Sequence, residues 1–146
     1  MKILVVSLLF LICSACAMQK VESQPITENQ KSEIAIQKPK VLVELFTSEG
    51  WSSCPPADRA LALLQKEQPN SQAEIITLAF HVDYWNNLGW KDEFSSQQFT
   101  QRQSDYSQSF NLSSIYTPQM VVDGSFELVG NNLGKAQQKI SEAVKI

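Results

Sequence analysis

The chain has 146 residues, of which 43% are hydrophobic and 9% aromatic, and its formal net charge is −3. Fifteen acidic residues stand against twelve lysines and arginines, and the basic residues form no cluster. This balance argues against a nucleic-acid partner, which requires a basic surface. The length suits a leader followed by a single domain with one core.

The N-terminus has the basic, apolar and small-residue segments of a secretory signal peptide. Lys2 precedes a nearly uninterrupted apolar run over residues 3–12, and small residues follow in "CSACAM". The run is too short to span a bilayer and fits residues 1–17 as a signal peptide. Two processing routes stay open: cleavage before Met18, or a lipobox in which Cys16 is lipidated and tethers the chain to a membrane. Both predict a bacterial cell-envelope protein, either periplasmic or lipid-anchored.

Residues 18–38 are polar and contain no aromatic side chain. Such a segment buries too little apolar surface to offset its ordering entropy, so it is predicted to be a flexible linker. The alternating stretch "EIAIQ" leaves open a short additional edge strand. Residues 39–146 are predicted to form one domain.

The domain begins with a β-α-β pattern. Residues 40–46, "KVLVELF", are mostly apolar and include two β-branched valines, which predicts a buried strand. Residues 55–66 have helical spacing of apolar side chains, with Pro55 expected at the first helical position and Cys54 at the N-cap. Residues 74–82, "EIITLAFHV", are apolar on both faces, which predicts a central parallel strand covered by helices.

The second half adds a helix, a hairpin and a last helix. A helix is predicted over residues 95–109, after a long polar and aromatic loop. Two short strands, "QMVV" and "FELV", flank Asp123-Gly124, a strong hairpin signal. Leu133, Ala136, Ile140 and Ala143 then mark a final amphipathic helix. This order is that of the thioredoxin fold, an α/β fold whose active-site loop follows the first strand.

Cysteine usage limits the redox chemistry. Cys13 and Cys16 lie in the signal region, so the domain contains only Cys54 and no disulfide can form within it. Two interpretations stay open, a reactive or intermolecularly paired thiol and an inert buried one. A helix N-terminus stabilises a thiolate, but Pro55 and Pro56 have no N–H to offer, so activation is expected to be modest.

Three motifs carry a family resemblance: "VELFTSEGWSSCPPAD", "LAFHVDYWNNLGWKD" and "YTPQMVVDG". Together they resemble the secreted thioredoxin-like family catalogued as domain of unknown function 1223. That family usually has Cys-Ser-Ser-Cys-Pro-Pro-Ala-Asp, whereas Trp51 replaces the first cysteine here and Cys54 matches the second, more shielded one. Family chains also commonly continue past the last helix, whereas this sequence ends at Ile146. Complete dithiol oxidoreductase activity is therefore not expected.

The resemblance also assigns a role to Thr117-Pro118. In thioredoxin-like folds a cis-proline begins the third strand beside the cysteine loop, and the residue before it offers backbone groups to a bound peptide. The candidate site therefore consists of Cys54 as the thiol and Trp51, Thr117 and Pro118 as the substrate-binding residues. The predicted function is binding of an extracytoplasmic polypeptide or small thiol, with mixed disulfides through Cys54. The alternative is a non-catalytic binding module that kept the fold and the cleft.

A metal site has only weak support from the sequence. Cys54, His81 and Met120 are a soft ligand set suited to copper(I). No spacing brings them together, and Met120 is more simply a core residue of its strand. No metal or cofactor is therefore predicted, and Tyr84, Trp85 and Trp90 are expected to border a groove or to cover the end of the sheet.

Overall fold

A computed structural model describes residues 38–146 of the chain. The predictions made for the signal peptide, for Cys16 and for all but the last residue of the linker lie outside these residues. The elements, in chain order, are β1 (Lys40–Thr47), α1 (Cys54–Glu67), β2 (Glu74–His81), α2 (Gln97–Ser109), β3 (Gln119–Val122), β4 (Phe126–Val129) and α3 (Leu133–Ala143). Within this part of the chain no helix is long and apolar enough to cross a membrane.

The strands form one mixed sheet in the order β2-β1-β3-β4. β1 and β2 are parallel, and β3 is antiparallel to both β1 and β4. The β3–β4 hairpin turns at Asp123 and Gly124, whose φ angles of 50° and 63° are the positive values that a tight hairpin turn requires. The predicted element order is confirmed, and the domain has a thioredoxin-like α/β fold.

Within residues 38–146, β2 is an edge strand and not the central strand that its apolar sequence predicted. Among residues 38–146 it pairs only with β1 and forms one edge of the sheet. Ile76 and Leu78 are 38% and 41% exposed. The prediction was wrong because apolar content on both faces indicates a strand, but a strand's own sequence does not specify how many neighbours it has.

The main core lies between the sheet and helices α1 and α3. Helix α1 buries Ala57, Ala60, Leu61 and Leu64, the stripe expected from its helical spacing. These side chains pack with apolar residues of all four strands and with the buried face of α3. The packing fixes the start of α1, and therefore Cys54, against the end of β1.

The start of α1 differs from the prediction by one residue. Ser53 is the N-cap, and Cys54 is the first helical residue rather than the cap. The N–H of Cys54 donates to the carbonyl oxygen of Trp51 at 3.0 Å, which closes a turn immediately before the helix. Assignments of helix ends commonly differ by this amount.

The opposite face of the sheet packs against α2. Phe46 and Phe80 contact the aromatic side chains of Phe99 and Tyr106 across this interface. Helix α2 therefore presents an aromatic stripe to this face of the sheet. The same face also buries charged and amide side chains, and these position the third strand and the segment before it.

Candidate functional site

The site lies where β1 ends, α1 begins and the chain enters β3. The Thr117-Pro118 peptide bond is cis, as the family resemblance implied. Trp51 of the cysteine loop stacks on Trp85, and the indole N–H of Trp85 donates to the hydroxyl of Thr117. The cysteine loop and the cis-proline segment are therefore brought together, although Cys54 and Thr117 are more than sixty residues apart in the sequence.

Cys54 is completely buried, with no exposed surface. Burial raises the pKa of its thiol, because a thiolate is poorly stabilised away from water. Hydrogen bonds from Thr47, the Ser48 backbone and Thr117 act in the lowering direction without cancelling that effect. The thiol is therefore held in its protonated, weakly nucleophilic form.

Thr47 neighbours both the thiol of Cys54 and the carboxylate of Asp58. The Thr47 hydroxyl donates to Oδ1 of Asp58 at 2.7 Å. The Asp58 carboxylate also acts to raise the pKa of Cys54. These contacts are typical of a thiol with a structural role.

Trp51, at the position of the missing cysteine, stacks on Trp85. The two rings are nearly parallel, with centroids 4.0 Å apart and an interplanar angle of 8°. The indole N–H of Trp85 donates to Oγ1 of Thr117 at 2.6 Å. The stack therefore joins the cysteine loop, the loop after β2 and the cis-proline segment into one cluster.

The indole N–H of Trp51 has no hydrogen-bond partner among residues 38–146. No buried side-chain nitrogen or oxygen in this part of the chain lacks a partner. Since the Trp51 side chain is only half-buried, its N–H is open to solvent. The aromatic cluster thus presents one unused donor at the surface of the site.

The backbone of Thr117 is unpaired within the described residues. The flanking carbonyl groups are both used: Tyr116 accepts from Gln103 Nε2 at 2.7 Å, and Pro118 accepts from the N–H of Gly130 at 3.0 Å. The N–H and C=O of Thr117 make no such bond in this range. Thr117 is 9% exposed, and its side chain is hydrogen-bonded to Trp85 of the Trp51–Trp85 stack.

Gly130 is a site residue that the sequence analysis missed. A Cβ atom built on it would lie 2.6 Å from Leu45 Cδ1, 3.2 Å from Ala57 Cβ and 3.3 Å from Pro118 Cβ. Only glycine therefore lets the chain after β4 approach Pro118 and α1 this closely. A glycine directly after a strand is the sequence signal for such an approach.

His81 and Asp92 form a second polar group beside the cysteine loop. His81 Nδ1 lies 2.6 Å from Asp92 Oδ2, and Asp92 is 1% exposed. Burial alone would raise the pKa of the Asp92 carboxyl, but hydrogen bonds from Glu49 N–H, His81 and Phe94 N–H together lower it. The pair therefore anchors the loop over residues 82–96 to the cysteine loop.

The three soft ligands considered for copper(I) are not assembled into one site. Met120 is buried in the apolar core, His81 is bound to Asp92, and Cys54 is enclosed by Thr47 and Thr117. Between residues 38 and 146 no three side chains of His, Cys, Asp or Glu are grouped so that they could hold a metal ion.

Several solved structures are similar to this domain, two of them from Agrobacterium tumefaciens and Wuchereria bancrofti. A protein of Agrobacterium tumefaciens is 36% identical with a TM-score of 0.62, and the alignment covers 75% of this chain and 45% of that one. The chain thus spans just under half of that relative. Thioredoxin from Wuchereria bancrofti is 15% identical with a TM-score of 0.36, over 78% of this chain and 86% of the other.

No curated protein matches the chain. The profile of one family does, and it matches residues 42–146, which include every strand and helix described above except the first two residues of β1. The family is described as "Protein of unknown function (DUF1223)". The chain belongs to this family.

Proposed function

We propose that this protein is a non-catalytic binding module of the cell envelope, which binds an extended segment of an extracytoplasmic polypeptide at Trp51, Thr117 and Pro118. The observation that carries the proposal is the combination of an enclosed Cys54 thiol with unpaired backbone groups on the adjacent Thr117. The chemistry at the thiol is suppressed, whereas the hydrogen-bonding groups around it are unused.

These groups suit a polypeptide backbone. An extended segment presents alternating N–H and C=O groups, which can pair with those of Thr117 as an added strand does. The Trp51 indole N–H can donate to a further carbonyl of the same segment. Thr117 is 9% exposed, so a segment reaches its backbone only when neighbouring side chains move. The Trp51 indole makes no hydrogen bond within residues 38–146, so its ring can move without breaking one.

Mixed-disulfide formation through Cys54 stays a prediction that the geometry does not favour. A disulfide partner would have to reach a thiol with no exposed surface and with a raised pKa. Attack requires the thiolate, so both features slow the exchange. Export, and a membrane tether through Cys16, remain part of the proposal on the strength of the N-terminal sequence alone.

Binding can be tested with an unfolded polypeptide whose cysteines have all been carboxymethylated, so that a covalent bond to Cys54 is impossible. We expect NMR shifts at the Thr117 amide and at the indole N–H groups of Trp51 and Trp85. Trp51→Ala should weaken binding by about tenfold, which corresponds to about 1.4 kcal/mol. Leu63→Ala, on the outer surface of α1, is the matched control and should bind as wild type does. The absence of any shift at Thr117 would overturn the proposal.

A thiol experiment separates this function from the redox one. Native wild-type protein should resist alkylation by iodoacetamide and should show no insulin-reductase activity. In Trp51→Cys the new thiol lies three residues from Cys54 across a hydrogen-bonded turn, within the separation of about 7 Å that a disulfide requires. We expect that variant to form the disulfide and to gain activity. Rapid alkylation of wild-type Cys54 would instead support the redox function.

A further inference from the structure

The outer edge of β2 has an open stretch of backbone. Successive residues of a strand direct their N–H and C=O groups to opposite sides within the sheet plane. Glu74 donates to Pro39 on the β1 side, so the even-numbered residues of β2 face β1. Ile75, Thr77, Ala79 and His81 therefore direct their backbone groups outward.

Both ends of this edge are capped by the protein itself. The side-chain amide of Gln68 accepts from the N–H of Ile75 at 2.8 Å and donates to its C=O at 3.0 Å, as a neighbouring strand would. At the other end, the N–H of Ser96 donates to the C=O of His81 at 3.1 Å. Between the caps, the N–H and C=O of Thr77 and of Ala79 have no partner in residues 38–146.

The open stretch lacks the features that usually protect an edge. Residues 76–80, "ITLAF", contain no charge and no proline, and Ile76 and Leu78 are 38% and 41% exposed. Natural edge strands are commonly shortened, charged or covered, because free strand edges recruit other strands. The opposite edge strand, β4, has four residues, whereas β2 has eight.

We propose that a second copy of this chain covers the edge, with the two β2 strands antiparallel about a two-fold axis at Leu78. In this arrangement Thr77 pairs with the partner's Ala79, and Ala79 pairs with the partner's Thr77. Each pair exchanges N–H and C=O bonds in both directions, as hydrogen-bonded pairs of an antiparallel ladder do. The two sheets become one continuous sheet.

In this register every open backbone group of Thr77 and Ala79 finds a hydrogen-bond partner. An antiparallel register centred on Thr77 pairs Thr77 with itself and Ala79 with the partner's Ile75, which is capped. A register centred on Ala79 pairs Ala79 with itself and Thr77 with the partner's His81, whose carbonyl is capped. The register centred on Leu78 uses both open residues of each copy. It also places Ile75, capped by Gln68, opposite the partner's His81, whose carbonyl is capped by Ser96. The open stretches of the two copies therefore coincide.

The side chains fit the same arrangement. Leu78 faces the partner's Leu78 across the axis, and Ile76 faces the partner's Phe80, so exposed apolar surface is covered on both copies. The paired stretch, residues 76–80, contains no charged side chain, so no like charges lie opposite each other within it. A self-complementary patch of this kind is what a two-fold dimer interface requires.

The test measures amide exchange of the full chain by NMR, together with its mass by sedimentation, from micromolar to millimolar concentration. We expect exchange at Thr77 and Ala79 to slow by at least about tenfold as the dimer forms. Leu78→Lys places like charges opposite each other on the axis and should keep the protein monomeric. Val129→Lys, at a 50% exposed position on the opposite edge strand, is the matched control and should dimerise as wild type does.

Ala79→Pro provides a second test, since it removes an outward N–H and leaves the β1–β2 ladder intact. It should also abolish the dimer while the fold is retained. Three results would overturn the proposal: a wild-type monomer at millimolar concentration, protection of Thr77 and Ala79 that does not depend on concentration, or equal association of Leu78→Lys and Val129→Lys.

Discussion

The two faces of the sheet are filled by different kinds of side chain. Towards α1 and α3 the core is aliphatic, with Val43, Leu45 and Leu64 completely buried. Towards α2 the sheet also buries Glu44 and Gln119, which are equally inaccessible to water. The aliphatic face stabilises the fold through burial of apolar surface. The polar face is stable only if each buried polar group keeps its hydrogen-bond partners.

On the polar face, each carboxylate oxygen of Glu44 has a hydrogen-bond partner. Glu44 accepts from Nε of Arg102 at 2.6 Å through one oxygen and from the Tyr106 hydroxyl at 2.5 Å through the other. Arg102 also lies over the rings of Phe80 and Tyr106, 5.5 and 5.4 Å from their centroids. The carboxylate is therefore compensated by charge and by hydrogen bonding.

The polar face also positions the candidate site. Gln103 donates to the carbonyl of Tyr116 at 2.7 Å and to Oε1 of Gln119 at 3.0 Å, and it accepts from the Tyr84 hydroxyl at 3.1 Å. These bonds fix the chain on both sides of Thr117. The aliphatic face therefore supplies stability, and the polar face supplies the geometry of the site.

The largest expected effect is on the aliphatic face. Leu64→Ala should lower the free energy of unfolding by about 3 kcal/mol, since it removes buried methyl groups and leaves a cavity. Urea denaturation measures this change. Leu63→Ala, one residue earlier on α1 and 39% exposed, should cost under about 1 kcal/mol. Equal losses in the two variants would contradict the assignment of this face.

Gln103→Leu should cost about 2.5 kcal/mol, because it leaves the Tyr116 carbonyl and the Gln119 oxygen buried without a donor. Leucine has nearly the side-chain volume of glutamine, so the lost stability comes from the polar network and not from a cavity. Unlike Leu64→Ala, it should also shift the NMR signal of the Thr117 amide. If both variants leave that signal unchanged, the polar face does not position the site.

Arg102→Met should destabilise the protein by about 2 kcal/mol, because the buried Glu44 loses its cation. The cost lies below that of a fully buried ion pair because the Arg102 side chain is 46% exposed. The double variant Glu44→Met/Arg102→Met should be more stable than Arg102→Met alone, since it no longer buries an uncompensated charge. Additive losses in urea denaturation would show that the two residues are not coupled.

The difference between the faces also explains what the sequence could predict. The aliphatic stripe of α1 and the Asp123-Gly124 turn are local patterns, and they gave the element order and the thioredoxin-like fold. Glu44 lies within an apolar strand, and nothing near it in the sequence identifies Arg102 as its partner. Pairings between distant residues depend on the tertiary fold.

The candidate site was likewise only partly predictable from the sequence. The motifs located Cys54, and the family resemblance supplied the cis-proline. Burial of the thiol depends on Thr47, on Thr117 and on the stacking of Trp51 against Trp85, which no local pattern encodes. The edge position of β2 was likewise not predictable, because it depends on which strands pair.

The smallest expected effect is that of Tyr106→Phe, which should cost about 1.5 kcal/mol at neutral pH, because Glu44 loses one donor and keeps Arg102. Burial, followed by the hydrogen bond to Glu44, raises the pKa of Tyr106 to about 12, from an ordinary value of about 10. The folded protein therefore retains the phenol proton at a pH where the unfolded chain releases it. The stabilisation is complete below pH 10 and is lost as the pH rises towards 12.

The difference in unfolding free energy between wild type and Tyr106→Phe should accordingly shrink between about pH 10 and pH 12. Urea denaturation at neutral pH and at two alkaline values measures it. Tyr84 and Tyr116, whose pKa values are also raised, are present in both proteins, so their titration cancels in the comparison. A difference that stays constant into the alkaline range would show that the Tyr106 proton is not held by Glu44.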